Sequence, residues 1–104
     1  MLDVIKKIFG RNLKTDLKEI IHKGAQIIDV RTKEEYQRGH IKGSVNIPLQ
    51  VLSHSLSKIH KDKPVITCCA SGMRSASAKN LLKSRGYAEV YNGGGWLSLK
   101  KKIS

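Results

Sequence analysis

Two adjacent cysteines and a following arginine are the residues of this sequence best suited to covalent chemistry. Cys68 and Cys69 end an apolar, β-branched run that begins at Val65, and a loop with Gly72 and Arg74 leads into a helical pattern. A cysteine between a buried strand and a helix faces the free N–H groups and the positive dipole end of that helix. Together with the charge of Arg74, this position predicts a thiolate that forms well below the pKa of ~8.5 of a free cysteine. The chemistry indicated is that of a nucleophile acting on anionic groups.

The spacing to the arginine and the glycine indicates which cysteine is the nucleophile. Cys68 to Arg74 has the C-x5-R spacing of phosphatase-like loops, whereas Cys69 to Arg74 is C-x4-R. Gly72 lies three residues after Cys69, and counted from Cys68 it falls one position late for the tyrosine-phosphatase pattern. We therefore predict that Cys69 is the nucleophile. Consecutive strand side chains point to opposite faces, so Cys68 is predicted to face the core.

The loop C-A-S-G-M-R resembles the active loop of the rhodanese family of sulfurtransferases, which has the form C-x-x-G-x-R between a strand and a helix. Three further landmarks of that family occur in the same order along the chain. They are Asp29-Val30-Arg31 with Glu35, the segment 39–48, and the segment 86–96 with its triple glycine. Each motif is weak alone, but four in order make a specific match that covers about residues 13–99.

The resemblance implies an α/β fold of the rhodanese-like type, with a mainly parallel central β-sheet of about five strands and helices on both faces. Strand patterns that alternate with helical patterns predict the same architecture. The length of 104 residues predicts a single domain over 1–104. The spacing of Leu2, Ile5 and Ile8 predicts an N-terminal helical extension over residues 1–12. We see no linker and no internal repeat.

The sequence also predicts the elements around the loop. The predicted strands are 25–30, 45–48, 65–67 and 89–91, and Thr15 is the predicted N-cap of a helix with Leu17, Ile20 and Ile21 on its apolar face. Thr32 and Glu35 have capping-box spacing at the start of another helix. A further helix is predicted from the spacing of Leu52, Leu56 and Ile59. The glycines 93–95 are predicted to form a flexible bend, after which Trp96, Leu97 and Leu99 hold the terminal helix.

The function that the resemblance implies is sulfur transfer through a persulfide on Cys69. Thiosulfate or a related small anion is the implied donor, and a thiol, cyanide or a thioredoxin-like protein is the implied acceptor. The implied substrate-binding residues form the loop: Ala70, Ser71, Gly72, Met73, Arg74 and Ser75. Asp29 and Arg31, at the end of a buried strand, are expected to support it. Many family loops have a basic residue where this chain has Ala70, which weakens the case for thiosulfate as the preferred donor.

Two other functions remain open at this stage. A cysteine-dependent phosphatase or arsenate reductase uses a related loop, although that loop is one residue longer. A non-catalytic rhodanese-like binding module would use the surface around the loop instead. No metal or other cofactor is expected, because His22, His54 and His60 have no cysteine or acidic partner at metal-ligand spacing.

The charge balance is strongly basic, with 20 Lys and Arg against 8 Asp and Glu, or a net charge of +12. No nucleic-acid motif or alternating aromatic pattern accompanies this charge, so we expect attraction of small anions and no nucleic-acid binding. Two neighbouring cysteines do not form an extracellular disulfide framework. The sequence has neither a leader pattern nor an apolar stretch of about 20 residues. We therefore expect a cytoplasmic monomer that does not span a membrane.

Overall fold

The structure is a computed structural model that describes residues 16–104. The predicted helical extension over residues 1–12 and the predicted cap Thr15 lie outside the described residues. The first described helix, α1, has Asp16 as its N-cap, whose carboxylate accepts hydrogen bonds from the backbone N–H groups of Lys18 and Glu19 at 3.1 and 3.3 Å. The cap is therefore one residue later than predicted, because Asp16 satisfies two of the free N–H groups of the first turn.

A parallel sheet forms the centre of the described part of the chain. Its strands are β1 (Gln26–Asp29), β2 (Val45–Asn46), β3 (Val65–Cys69) and β4 (Val90–Gly95), arranged in the order β2-β1-β3-β4. All three neighbouring pairs are parallel, as predicted. Residues 16–104 contain four strands, one fewer than the expected number of about five. The carboxyl ends of the two central strands, β1 and β3, thereby lie side by side.

The helices are α1 (Leu17–His22), α2 (Lys33–Gln37), α3 (Met73–Ser84) and α4 (Trp96–Ile103). The predicted capping box at the start of α2 is present, because Thr32 and Glu35 each accept a hydrogen bond from the backbone N–H of the other. The α-helix predicted from the spacing of Leu52, Leu56 and Ile59 is absent. Two 3₁₀ helices, Leu49–His54 and Leu56–Lys58, take its place. The Ser55 hydroxyl donates to the carbonyl of Val51, and this local bond competes with continued α-helix.

Two hydrophobic clusters lie on opposite faces of the sheet. The larger one includes Cys69 of β3 together with Ala78 and Leu82 of α3. The smaller one includes Cys68 of β3, Ile20 of α1 and Leu99 of α4. Helices thus cover both faces, as predicted, and the two cysteines belong to different clusters. Leu97 departs from the prediction: it is 59% exposed and does not hold α4 in place.

No helix within residues 16–104 is long and apolar enough to cross a membrane.

Candidate active site

The candidate site lies where β3 ends at Cys69 and α3 begins at Met73. Gly72 is the N-cap of α3 and has a φ of +107°, a conformation that residues with a Cβ rarely adopt. The pairing of β3 with β4 is irregular here, since Thr67 pairs with Asn92 but Cys69 pairs with Gly95. Between these two pairs, β4 has one residue more than β3. Such a bulge changes the direction of the nearby side chains.

The sulfur of Cys69 lies within a group of hydrogen-bond donors. The backbone nitrogens of Gly72 and Ser75 lie 3.0 and 3.3 Å from Sγ, and both donate to it. The hydroxyl oxygen of Ser75 lies 3.5 Å from the same sulfur. The loop closes over this group so fully that Cys69 has 0% exposed surface. The sulfur itself therefore occupies the position that a bound anion would take among these N–H groups.

The pKa of Cys69 is lowered from the ordinary value of a cysteine. Burial alone would raise the pKa, but the Ser75 hydroxyl and the backbone N–H groups of Ser75, Gly72 and Ser71 stabilise the thiolate more strongly. The direction agrees with the prediction from sequence, whereas the cause differs in part. Hydrogen bonds from the loop, and not the charge of Arg74, are the main cause of the lowered pKa.

Asn92 of β4 fixes the position of Ser75. The Ser75 hydroxyl donates to the Asn92 side-chain oxygen at 2.6 Å and also lies 3.0 Å from the carbonyl of Gly72. The Asn92 side-chain oxygen also accepts from the N–H of Gly94 at 2.9 Å. Sequence reasoning did not include Asn92 among the site residues. The sequence feature that could have indicated Asn92 is its position between the predicted last strand, 89–91, and the triple glycine.

The triple glycine is part of strand β4 and is not the flexible bend that the sequence predicted. A Cβ on Gly95 would lie 2.9 Å from the carbonyl oxygen of Ala70, and one on Gly93 would lie 2.8 Å from that of Thr67. Contacts this short cannot accommodate a side chain. The glycines therefore allow β4 to pack directly against the end of β3 and against the loop.

Arg74 forms an ion pair with a carboxylate of helix α2. Its two terminal nitrogens donate to the two carboxylate oxygens of Glu35 at 2.7 and 2.9 Å. The side chains of Arg74 and Glu35 are 34% and 32% exposed, so the ion pair lies at the surface of the loop. The sequence places Glu35 in the capping box but gives no sign of this longer-range partnership. Of the other predicted loop residues, Ala70, Ser71 and Met73 are exposed and carry no charge.

Asp29 and Arg31, the predicted loop supports, form a buried ion pair. The Arg31 guanidinium donates to the Asp29 carboxylate at 2.8 to 3.0 Å and to the carbonyl of Gly39 at 2.7 Å. It also lies over the ring of Trp96, with 4.6 Å from the guanidinium carbon to the ring centroid. Trp96 directly follows Gly95, which contacts the loop. The ion pair is therefore connected to the loop only indirectly, through Trp96 at the start of α4. Its role in supporting the loop stays a prediction.

Cys68 lies on the other face of the sheet, as predicted, and has 0% exposed surface. Burial, with a smaller contribution from the nearby charge of Asp29, raises the pKa of its thiol to about 12. We therefore expect the Cys68 thiol to be protonated at neutral pH. Within residues 16–104, no three His, Cys, Asp or Glu side chains come together as a group that could hold a metal ion.

Comparisons with known proteins identify the family and the fold of the chain. The family model for the rhodanese-like domain matches residues 13–102. The uncharacterized protein YqhL of Bacillus subtilis is 41% identical over 85 residues, covering 79% of this chain and 68% of YqhL. The uncharacterized protein YibN of Escherichia coli is 34% identical over 88 residues, covering 82% of this chain and 60% of YibN. The chain thus spans less than two thirds of the length of YibN.

Two further matches have more informative names. The thiosulfate sulfurtransferase PspE of Escherichia coli is 40% identical over 70 residues, covering 65% of this chain and 67% of PspE. The solved structure of the human single-domain sulfurtransferase TSTD1 is similar with a TM-score of 0.73 and 28% identity. This similarity covers 85% of the chain and 92% of TSTD1.

Proposed function

The chain belongs to the rhodanese-like domain family, and on that premise we propose that it is a sulfurtransferase that carries sulfur as a persulfide on Cys69. The observation that carries the proposal is the environment of the Cys69 sulfur. This sulfur accepts hydrogen bonds from the backbone N–H groups of Gly72 and Ser75. Donors arranged in this way stabilise a thiolate before the reaction and a persulfide anion after it. Hydrogen bonds lower the pKa of Cys69 against the opposing effect of burial, and a lower pKa increases the fraction of the nucleophilic thiolate.

The reaction consists of two half-reactions. In the first, the Cys69 thiolate attacks the outer sulfur of the donor, a new S–S bond forms, and the donor's own bond to that sulfur breaks. With thiosulfate, the leaving group is sulfite, which takes the electron pair of the broken bond. In the second, a thiolate or cyanide attacks the outer sulfur of the persulfide. Cys69 leaves as the thiolate, so the protein returns to its starting state.

We propose a small sulfur-containing anion as the donor and a thiol, cyanide or a thioredoxin-like protein as the acceptor. The name of PspE, a thiosulfate sulfurtransferase, supports thiosulfate as the first donor to try. Because Cys69 has no exposed surface, the donor reaches the sulfur by displacing part of the loop, whose Ala70, Ser71 and Met73 side chains are exposed. Two free cysteines also fit a reducing compartment such as the cytoplasm.

Mass spectrometry of the intact protein tests the proposal directly. We expect incubation with thiosulfate, or with glutathione persulfide as a second donor, to add one sulfur atom, about 32 Da, to the native chain but not to Cys69→Ser. Cyanide or a thiol should then remove it. A gain of mass on Cys69→Ser, or no gain on the native chain with either donor, would contradict the proposal.

The same samples distinguish the two other functions. A phosphatase would hydrolyse an aryl phosphate and lose that activity in Cys69→Ser. A binding module would take up no sulfur from either donor and would hydrolyse no phosphate.

A further inference from the structure

The positively charged side chain of the active loop, Arg74, is paired with the carboxylate of Glu35. The Glu35 carboxylate accepts hydrogen bonds from both terminal nitrogens of Arg74. It also accepts hydrogen bonds from the backbone N–H and the hydroxyl of Thr32, at 3.0 and 3.1 Å. The hydrogen bond from Arg74, followed by that from the Thr32 backbone, lowers the pKa of Glu35 to about 2. The carboxylate is therefore ionised at every pH near neutrality, and the ion pair persists there.

The rest of the loop supplies no replacement for this charge. Between Cys69 and Arg74 the sequence is Ala-Ser-Gly-Met, which contains no charged side chain. The nearby Arg31 is likewise committed, since it is paired with Asp29 and is only 3% exposed. Two arginines thus lie at this edge of the sheet, and each is matched by its own carboxylate.

A loop of this kind discriminates between donors by charge. Thiosulfate carries two negative charges, and a dianion that leaves water needs charged partners as well as N–H dipoles. The persulfide of a thiol presents only one negative charge at its transferable sulfur. The two N–H groups that donate to the Cys69 sulfur suit the single charge better than the double one.

We propose that Glu35 is a specificity-determining residue: by holding Arg74, it weakens the binding of dianionic donors and leaves thiol persulfides as the preferred sulfur donors. This inference rests on the proposed sulfurtransferase function and deepens it. Glu35 acts on the donor through Arg74 and does not touch the reacting sulfur. Releasing Arg74 should therefore change the KM for thiosulfate while leaving the rate of the chemical step unchanged.

The test compares Glu35→Gln with Glu34→Gln. Glutamine preserves the capping box, because Gln also serves at that position. Glu34 is the matched control, since it is an exposed neighbour on α2 with the same charge and forms no ion pair within residues 16–104. Rates of sulfite release from thiosulfate, and of sulfur uptake from glutathione persulfide, are measured at constant ionic strength because salt screens exposed charges.

We expect Glu35→Gln to lower the KM for thiosulfate about tenfold with kcat unchanged, because a freed guanidinium can form a charge-assisted hydrogen bond to the anion. The KM for glutathione persulfide should change less than about twofold, and Glu34→Gln should match the native chain with both donors. Ala70→Arg, which adds a cation that Glu35 does not hold, should also lower the KM for thiosulfate. Equal KM values for Glu35→Gln and Glu34→Gln would overturn the proposal, even with a gain in Ala70→Arg.

A second measurement separates this inference from the proposed function. Sulfate is an unreactive dianion, and its occupation of the loop should slow alkylation of Cys69 by iodoacetamide. We expect less sulfate to be needed for protection in Glu35→Gln than in Glu34→Gln. If neither donor loads sulfur on any variant, the proposed function is wrong. The protection experiment still decides whether Glu35 controls anion binding, and equal protection in the two variants would overturn that role.

Discussion

Cys68 and Cys69 are neighbours in β3, and both have 0% exposed surface, yet their thiols differ in chemical character. Burial, with a smaller contribution from the charge of Asp29, raises the pKa of the Cys68 thiol to about 12. Around Cys69, the same burial is opposed by the Ser75 hydroxyl and by N–H groups of the loop, and the pKa falls below its ordinary value. A shift of one position along a strand therefore moves a thiol from an apolar cluster to a group of donors.

The comparison teaches that burial alone does not decide whether a cysteine is reactive. What matters is whether hydrogen-bond donors replace the water that burial removes. At Cys69, the replacement comes from the first turn of α3, with Ser75 held in place by Asn92. At Cys68, the neighbours are the apolar side chains of the smaller cluster, such as Ile66 and Leu99. Four substitutions or treatments test this contrast.

Selective alkylation should reveal the largest difference. At neutral pH we expect iodoacetamide to modify Cys69 at least about a hundredfold faster than Cys68, because only the thiolate reacts and Cys68 is almost entirely protonated. Peptide fragmentation after timed labelling locates the modified sulfur. Cys69→Ser should show almost no labelling until denaturant is added. Equal labelling of both cysteines in the native chain would contradict the proposed difference in reactivity between Cys68 and Cys69.

Gly95→Ala should give the next largest effect, because its new Cβ would lie 2.9 Å from the carbonyl oxygen of Ala70. The loop must move away, which lengthens the hydrogen bonds to the Cys69 sulfur. We expect sulfur loading to slow by about tenfold or more, since misplaced donors stabilise the reacting anion poorly. The loading rate is measured by intact mass at fixed times.

Gly43→Ala is the control for that substitution. Gly43 has a φ of +87°, so alanine is strained there, but its Cβ would meet nothing within 4 Å. It should lower the melting temperature without slowing the loading of the folded protein. Similar loading rates for Gly95→Ala and Gly43→Ala would exclude a specific role for the contact between Gly95 and the loop.

Ser75→Ala should change the pH dependence more than the maximal rate. The substitution removes the hydroxyl that lies 3.5 Å from the sulfur and keeps the backbone N–H, so we expect the pKa of Cys69 to rise. The thiolate is then lost at a higher pH, and the pH profile of alkylation moves upward. At pH values below the pKa of Cys69 we expect Ser75→Ala to be alkylated more slowly than the native chain, by about tenfold for each unit by which the pKa rises. Above both pKa values the rates should converge.

Ser77→Ala, on the exposed side of the same helix, should leave the pH profile unchanged. A parallel loss at all pH values for Ser75→Ala would indicate that Ser75 has a purely structural role.

Cys68→Ala should have the smallest effect on sulfur transfer, less than about twofold, because the Cys68 thiol is on the other face of the sheet. It should nevertheless reduce the free energy of unfolding by about 1 to 2 kcal/mol, since it leaves a small cavity in the core. Urea denaturation and the thiosulfate loading rate measure the two quantities. Loss of sulfur transfer in a well-folded Cys68→Ala would give Cys68 a chemical role that its environment does not suggest.

Local patterns in the sequence predicted much of this arrangement. The capping box at Thr32, the alternation of strands and helices, and the position of Cys69 between β3 and α3 all depend on neighbours within a few residues. The pairings of Arg74 with Glu35 and of Ser75 with Asn92 join residues 39 and 17 positions apart, so no local pattern reveals them. The 3₁₀ helices were missed because leucine spacing suits both helix types, and side-chain bonds such as that of Ser55 decide between them.

Trp96 gives this chain a natural optical probe. It is the only tryptophan in the sequence, so the emission spectrum comes from one place in the molecule. Its ring lies under the Arg31 guanidinium, and the preceding residue, Gly95, contacts the loop through the carbonyl oxygen of Ala70. A loop that moves to admit a donor must disturb that contact. Stopped-flow fluorescence can therefore follow loop movement in unlabelled protein and time it against the arrival of sulfur on Cys69.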